Sequence, residues 1–183
     1  MKKIILCFLI SASLIACSNQ ETKKAETSEE DKDTGTWTSL DSKTLKVRQL
    51  LESYGKNDSS VVYEIFADTI KISDQFANNQ ENGATKVNLG GREGVVQDTR
   101  NAHQLFSDIN LTTDNMRTFV RKDGLTATLW WGMWSGTGKF TKNKSTVPVH
   151  GYFYWKDDKI ISGGRFFDPT VSKEEFAASQ KNN

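Results

Sequence analysis

The sequence predicts an α+β domain in which helices pack on one side of a curved antiparallel sheet. Three observations predict it. Apolar residues recur at helical spacing in three places before residue 107. Two strand pairs follow, broken by the turn-forming dipeptides Asp123-Gly124 and Asp157-Asp158. A final helix then opens with a full set of start signals.

The first helix is capped by Asp41 or Ser42 and carries Val47, Leu50, Leu51 and Tyr54 at i, i+3, i+4 and i+7 before Gly55 stops it. A second, short helix starts near Asn57 or Asp58 and turns Val61, Val62, Ile65 and Phe66 inward. Residues 67–74 (ADTIKISD) alternate as a half-buried strand, with Asp68, Ile70, Ile72 and Asp74 on one side. The polar run 75–85 predicts a loop and 86–89 a short strand. Gly90-Gly91 then opens a third helix with Glu93 in its first turn and a stripe of Val95, Val96, Thr99, Ala102, His103 and Phe106.

A two-residue turn at Asp123-Gly124 would place Met116, Val120, Ala127, Leu129, Trp131 and Met133 on one face of the first hairpin. Arg117, Arg121, Thr126, Thr128, Trp130 and Trp134 would then lie on the other. Uncovered tryptophans beside arginines mark an interface, so a homodimer through the outer sheet face is predicted, the alternative being that the C-terminal helix from Ser172 covers them. In the last hairpin, 147–168, a turn at Asp157-Asp158 pairs Lys156 with Lys159. Counting outward pairs Tyr154 with Ile161, Tyr152 with Gly163 and His150 with Arg165. After Asp168-Pro169, Ser172 and Glu175 read as a capping box, with Val171 stapled to Phe176.

The N-terminus reads as a secretory signal: a basic Met1-Lys2-Lys3 and then an apolar run, 4–16, too short to span a bilayer comfortably. It ends Leu14-Ile15-Ala16-Cys17, which resembles the lipobox of bacterial lipoproteins. That resemblance implies cleavage before Cys17, diacylglycerol on its sulfur and an acyl group, usually palmitate, on its amino terminus, a pair of signals sufficient for stable anchoring. Ser18 resembles the outer-membrane sorting pattern, so the expected location is the bacterial cell envelope, with the lipid anchor in the outer membrane. The expected organisation is 1–16 signal peptide, 17–36 lipidated cysteine with a polar linker reaching on the order of 25 Å, and 37–183 one domain. Cys7 leaves with the signal and Cys17 carries lipid, so the domain has no thiol for a disulfide, zinc or nucleophilic role. The formal charge of +1 becomes −1 without Lys2 and Lys3, which excludes a nucleic-acid footprint.

The candidate chemistry lies in three residues. His150 can act as a general acid or base near neutral pH, Asp74 as a partner base, and Arg165 can hold an anionic or enolate oxygen. The same residues could instead form a self-satisfied polar network, or Arg165 could pair with Asp168. Tyr152, Tyr154, Phe167, Trp131 and His103 are the expected ligand-lining residues. No H-x-H or H-E-x-x-H spacing supports a metal, and no phosphate loop, dinucleotide fingerprint or nucleophile elbow occurs, so no cofactor is expected.

Element order, ADTIKISD after two helices, GGREGV opening the third, and HGYFYWKDDKIISGGRFFD at the end together resemble the SnoaL-like branch of the nuclear transport factor 2-like superfamily. The resemblance covers about 42–168. It implies a cone: helices close over a bent sheet around an apolar pocket, and two cones pair through their outer faces. It places the acidic hydrogen-bond donor of ketosteroid isomerases on His150 and their general base on Ser73 or Asp74. Here a histidine replaces the acid and the first helix offers only Tyr54 for the isomerase tyrosine, which points away from steroid isomerisation. Three functions remain open: a lipid-anchored module binding a small apolar or amphipathic ligand, a cofactor-independent acid/base enzyme, and a structural or partner-binding envelope protein. An open cavity of a few hundred Å³ would favour the first two.

Overall fold

A computed structural model of the protein describes residues 34–80, 83–88 and 90–181. Among the described residues four helices, α1 (Ser42–Gly55), α2 (Ser60–Ile65), α3 (Arg92–Leu105) and α4 (Thr170–Lys181), accompany eight strands. These are β1 (Gly35–Thr38), β2 (Phe66–Gln80), β3 (Gly83–Asn88), β4 (Phe106–Leu111), β5 (Asn115–Arg121), β6 (Thr126–Gly138), β7 (Lys144–Lys156) and β8 (Lys159–Phe167). They form one sheet in the order β1-β5-β6-β7-β8-β2-β3, with β4 also paired to β6. Every pairing is antiparallel except β2 on β8, which is parallel, so the sheet is mixed where a purely antiparallel one is expected. Asp33–Asn183 form a compact unit that contains the whole described core, the mark of a segment that folds on its own.

The helices form where expected. Asp41 caps α1: its Oδ1 accepts the Thr44 N–H at 2.7 Å while its own N–H donates to Thr44 Oγ1 at 2.9 Å. Val47 and Leu50 of α1 and Val61, Val62 and Ile65 of α2 are buried against the sheet, the arrangement that the 3.6-residue period dictates. Gly91 caps α3 in an extended conformation after Gly90 at φ +79°.

Four expectations fail, each for a physical reason. The polar run 75–85 is not a loop; β2 continues to Gln80 and pairs with β3 past an irregularity between Asp74 and Asn78. Polar side chains hide such a hairpin from a reading based on hydrophobic alternation. β1 and β4 are also missed, because each is short and lies beside a region with another strong reading. β1 depends on Gly35, where a Cβ would lie 2.2 Å from the Val120 carbonyl oxygen. α4 starts two residues before Ser172, with Asp168 Oδ1 accepting from the Thr170 N–H and hydroxyl at 3.0 and 2.6 Å. Glu175 is therefore released from capping. It is buried, and its carboxylate accepts the Phe140 N–H, the Thr141 N–H and the Thr141 hydroxyl in the turn between β6 and β7.

A buried chain of hydrogen bonds fastens α1 to the sheet. The Trp155 indole N–H donates to Thr128 Oγ1 at 2.9 Å, Thr128 meets Thr118 at 3.0 Å, and the Thr118 hydroxyl donates to Asp41 Oδ1 at 3.1 Å. An indole can only donate and a carboxylate only accept. The two hydroxyls must therefore both point toward Asp41.

Candidate functional site

Two one-residue changes of register decide which side chains meet. The β5–β6 turn contains three residues, 122–124: the Arg121 N–H donates to the Leu125 carbonyl at 2.8 Å, and Gly124 takes φ +88°. This is the three-residue hairpin with a glycine in the left-handed region. It pairs Met116 with Trp130 rather than Trp131, so the two sets of β6 residues change sides relative to β5. Trp130 is 1% exposed and Trp131 38%. Trp130 and Trp134 therefore line the interior and cannot supply the outer dimer surface predicted for them.

The second change is a bulge in the β7–β8 hairpin. Trp155 pairs with Ile160 but Tyr154 with Ser162, so Ile161 is the extra residue and the count beyond it shifts by one. His150 faces Phe166, and Arg165 faces Gly151. Directly opposed residues share a face and sequence neighbours do not, so His150 and Arg165 lie on opposite sides of the sheet.

The outer side carries an aromatic ladder. His150 stacks on Trp131 at 4.7 Å and 24° and on Phe166 at 5.8 Å and 19°. Tyr152 meets Phe166 and Tyr154 at 5.8 and 5.7 Å. His150 Nδ1 lies 2.9 Å from the Trp130 carbonyl oxygen; a carbonyl only accepts, so Nδ1 carries the proton. His103 likewise donates from Nε2 to the Tyr54 carbonyl at 2.7 Å and ties α3 to α1.

The inner side encloses a cavity of about 470 Å³ between the sheet, α1–α3 and the start of α4. Trp130, Phe153, Phe66 and Val149 form its buried depth. Trp134 is set edge-on to Phe106 at 4.9 Å and 82°. Asp58, Asn101, Asp168, Lys173 and Phe176 are exposed and mark its mouth. Part way up the wall, Arg165 donates to Asp98 Oδ2 at 2.8 Å, and its guanidinium lies 6.0 Å from the Tyr54 ring and 5.8 Å from that of Phe167.

Of the residues singled out in the sequence, Arg165 and Phe167 meet at this cavity. Trp131, His150, Tyr152 and Tyr154 meet on the opposite face, and His103 sits behind the α1–α3 contact. The Asp74 backbone is in parallel register with Arg165; its side chain lies outside the described residues. Sequence reading missed Asp98, although a signal existed: Val95, Asp98, Thr99 and Ala102 share one helical stripe, so a carboxylate stands among the residues α3 turns inward. Among the described residues no group of His, Cys, Asp and Glu could hold a metal, and no helix is long and apolar enough to cross a membrane.

No protein-family profile matches the chain, and no curated protein matches it. Solved structures do match. A protein from Catenulispora acidiphila with a ketosteroid isomerase-like fold, in complex with trimethylamine, is 12% identical over 66% of this chain and 82% of its own, with a TM-score of 0.53. A nuclear transport factor 2-like protein of unknown function from Burkholderia pseudomallei is 12% identical over 74% of this chain and 97% of its own, with a TM-score of 0.58. A protein from Jannaschia sp. described as a SnoaL-like polyketide cyclase is 14% identical over 70% and 87%, with a TM-score of 0.53. At these identities the likeness carries the fold, and the fold of this chain is the nuclear transport factor 2-like one that SnoaL-like and ketosteroid isomerase-like proteins share.

Proposed function

We propose that the domain binds a small amphipathic molecule whose apolar body fills the aromatic depth of the cavity and whose polar end reaches Arg165 and Asp98. The observation that carries this reading is the open cavity of about 470 Å³, within the range of roughly 300–1,000 Å³ that small-molecule sites occupy. The Asp98–Arg165 pair in the cavity wall offers donors and acceptors to the polar end of such a molecule. Native mass spectrometry of purified protein should reveal a retained small molecule, and the uncharged fluorophore N-phenyl-1-naphthylamine should bind. Ala102→Trp, which fills the cavity from α3, should weaken the fluorophore by at least about tenfold while the fold persists, a loss of about 1.4 kcal/mol. A wild-type protein that retains nothing and binds no fluorophore would remove this reading.

We further propose that Cys17 carries the lipid that anchors the chain in the cell envelope. The lipobox sequence supports this, and Cys17 lies outside the described residues. Cys17→Ser should abolish lipid labelling and move the protein out of the membrane fraction; unchanged labelling would rule the anchor out.

A further inference from the structure

The β6–β7 turn and the start of α4 carry a feature that ligand binding does not use. Residues 139–144 read KFTKNK, three lysines with no acid. All three lysines are exposed, and Phe140 among them is 37% exposed. Glu175 holds this turn against α4 from behind, through Phe140 and Thr141. Next to it on α4, Phe176 is 56% exposed and lines the cavity mouth with Lys173. Lys139 donates to the His103 carbonyl at 2.6 Å, which keeps the turn beside the end of α3. The acids of this helix start do not cancel the patch: Glu175 is bonded inside it, and the exposed Asp168 and Glu174 are outnumbered by the exposed Lys139, Lys142, Lys144 and Lys173.

We propose that this turn, with Phe176 and Lys173, docks on an anionic lipid bilayer and sets the cavity mouth at the membrane surface. A single aromatic ring can enter the headgroup layer while lysines around it keep their ammonium groups among the phosphates. Clustered lysines are attracted to anionic leaflets over about a Debye length, and a flat apolar protein interface would not need them. An amphipathic ligand could then pass between bilayer and cavity without crossing water; that last step rests on the binding reading above.

The domain 33–183 should sediment with vesicles of phosphatidylcholine plus phosphatidylglycerol, and not with phosphatidylcholine alone. Lys142→Gln and Lys144→Gln should each weaken this by about fivefold, and high salt should abolish it. Phe140→Ser should reduce it as well, with an unchanged circular dichroism spectrum. Ala102→Trp should sediment as the wild type does, which separates failure of docking from failure of ligand binding. Equal sedimentation with uncharged vesicles, or undiminished binding by a variant that combines Lys142→Gln with Lys144→Gln, would overturn the proposal. Retention on heparin without vesicle binding would overturn it too, by moving the partner to an acidic polymer.

Discussion

Trp130→Ala should cost about 3–5 kcal/mol of unfolding free energy, the range for deleting a large aromatic side chain from a core. Trp130 is almost completely buried, its indole N–H donates to the Thr112 carbonyl at 3.2 Å, and its ring lies over two glycines. A Cβ at Gly132 would stand 2.8 Å from its Nε1 and one at Gly151 3.0 Å from its ring. The indole crowds both positions, and at Gly132 the Thr112 carbonyl oxygen, 1.9 Å from such a Cβ, excludes a side chain more tightly still. Its neighbour Trp131→Ala should cost much less, about 1 kcal/mol, since that ring is partly solvated and touches the core little. Urea denaturation of both variants at pH 7 measures the pair. If the two costs were reversed, the face assignment made by the three-residue turn at 122–124 would be wrong.

Glu175→Gln should cost about 2–3 kcal/mol at neutral pH, because three donors that face a carboxylate would face an amide with one acceptor and an opposing N–H. Burial pushes the Glu175 carboxyl up, but the Thr141 hydroxyl, the Phe140 and Thr141 N–H groups and the nearby Lys142 charge outweigh it and hold the group below its ordinary 4.5. A depressed folded value gives stability that is fully present above the unfolded value and is lost as pH falls through the folded one. The wild type should therefore lose this contribution as pH drops below about 4.5, and the variant should not. The gap between them in urea titrations should narrow with acid. A gap independent of pH down to the acid limit would show that the carboxylate charge is not what holds α4 to the turn.

The sequence made the helices legible because their stripes satisfy a 3.6-residue period and their ends carry caps. Asp41, Val47, Leu50, Val61 and Ile65 all lie where that period sends them. The strands were legible as strands, but their faces were not, since a period of two turns any slip of one residue into an exchange of sides. Gly124 could have signalled the first slip, as a glycine at the third place of a turn invites the left-handed conformation found there. The bulge at Ile161 left no such mark: KIISGG offers no residue that demands it. That bulge alone separates His150 from Arg165, so the histidine expected to do acid/base work lies on the face of the sheet opposite the pocket. Asp98 escaped notice because polar residues on a helix are expected to face water.

The hydrogen-bond chain from Trp155 to Asp41 bears on how the domain folds in time. Its link from Thr118 to Asp41 joins residues 77 apart in sequence, and the pair Thr128–Trp155 belongs to strands that come later still. The cap of α1 thus shares its acceptor with a network that exists only after β5, β6 and β7 have paired. Contacts of such sequence separation form late and slow the approach to the native state. Helix α1, although well marked in its own sequence, gains its final anchorage only when β5, β6 and β7 have come together.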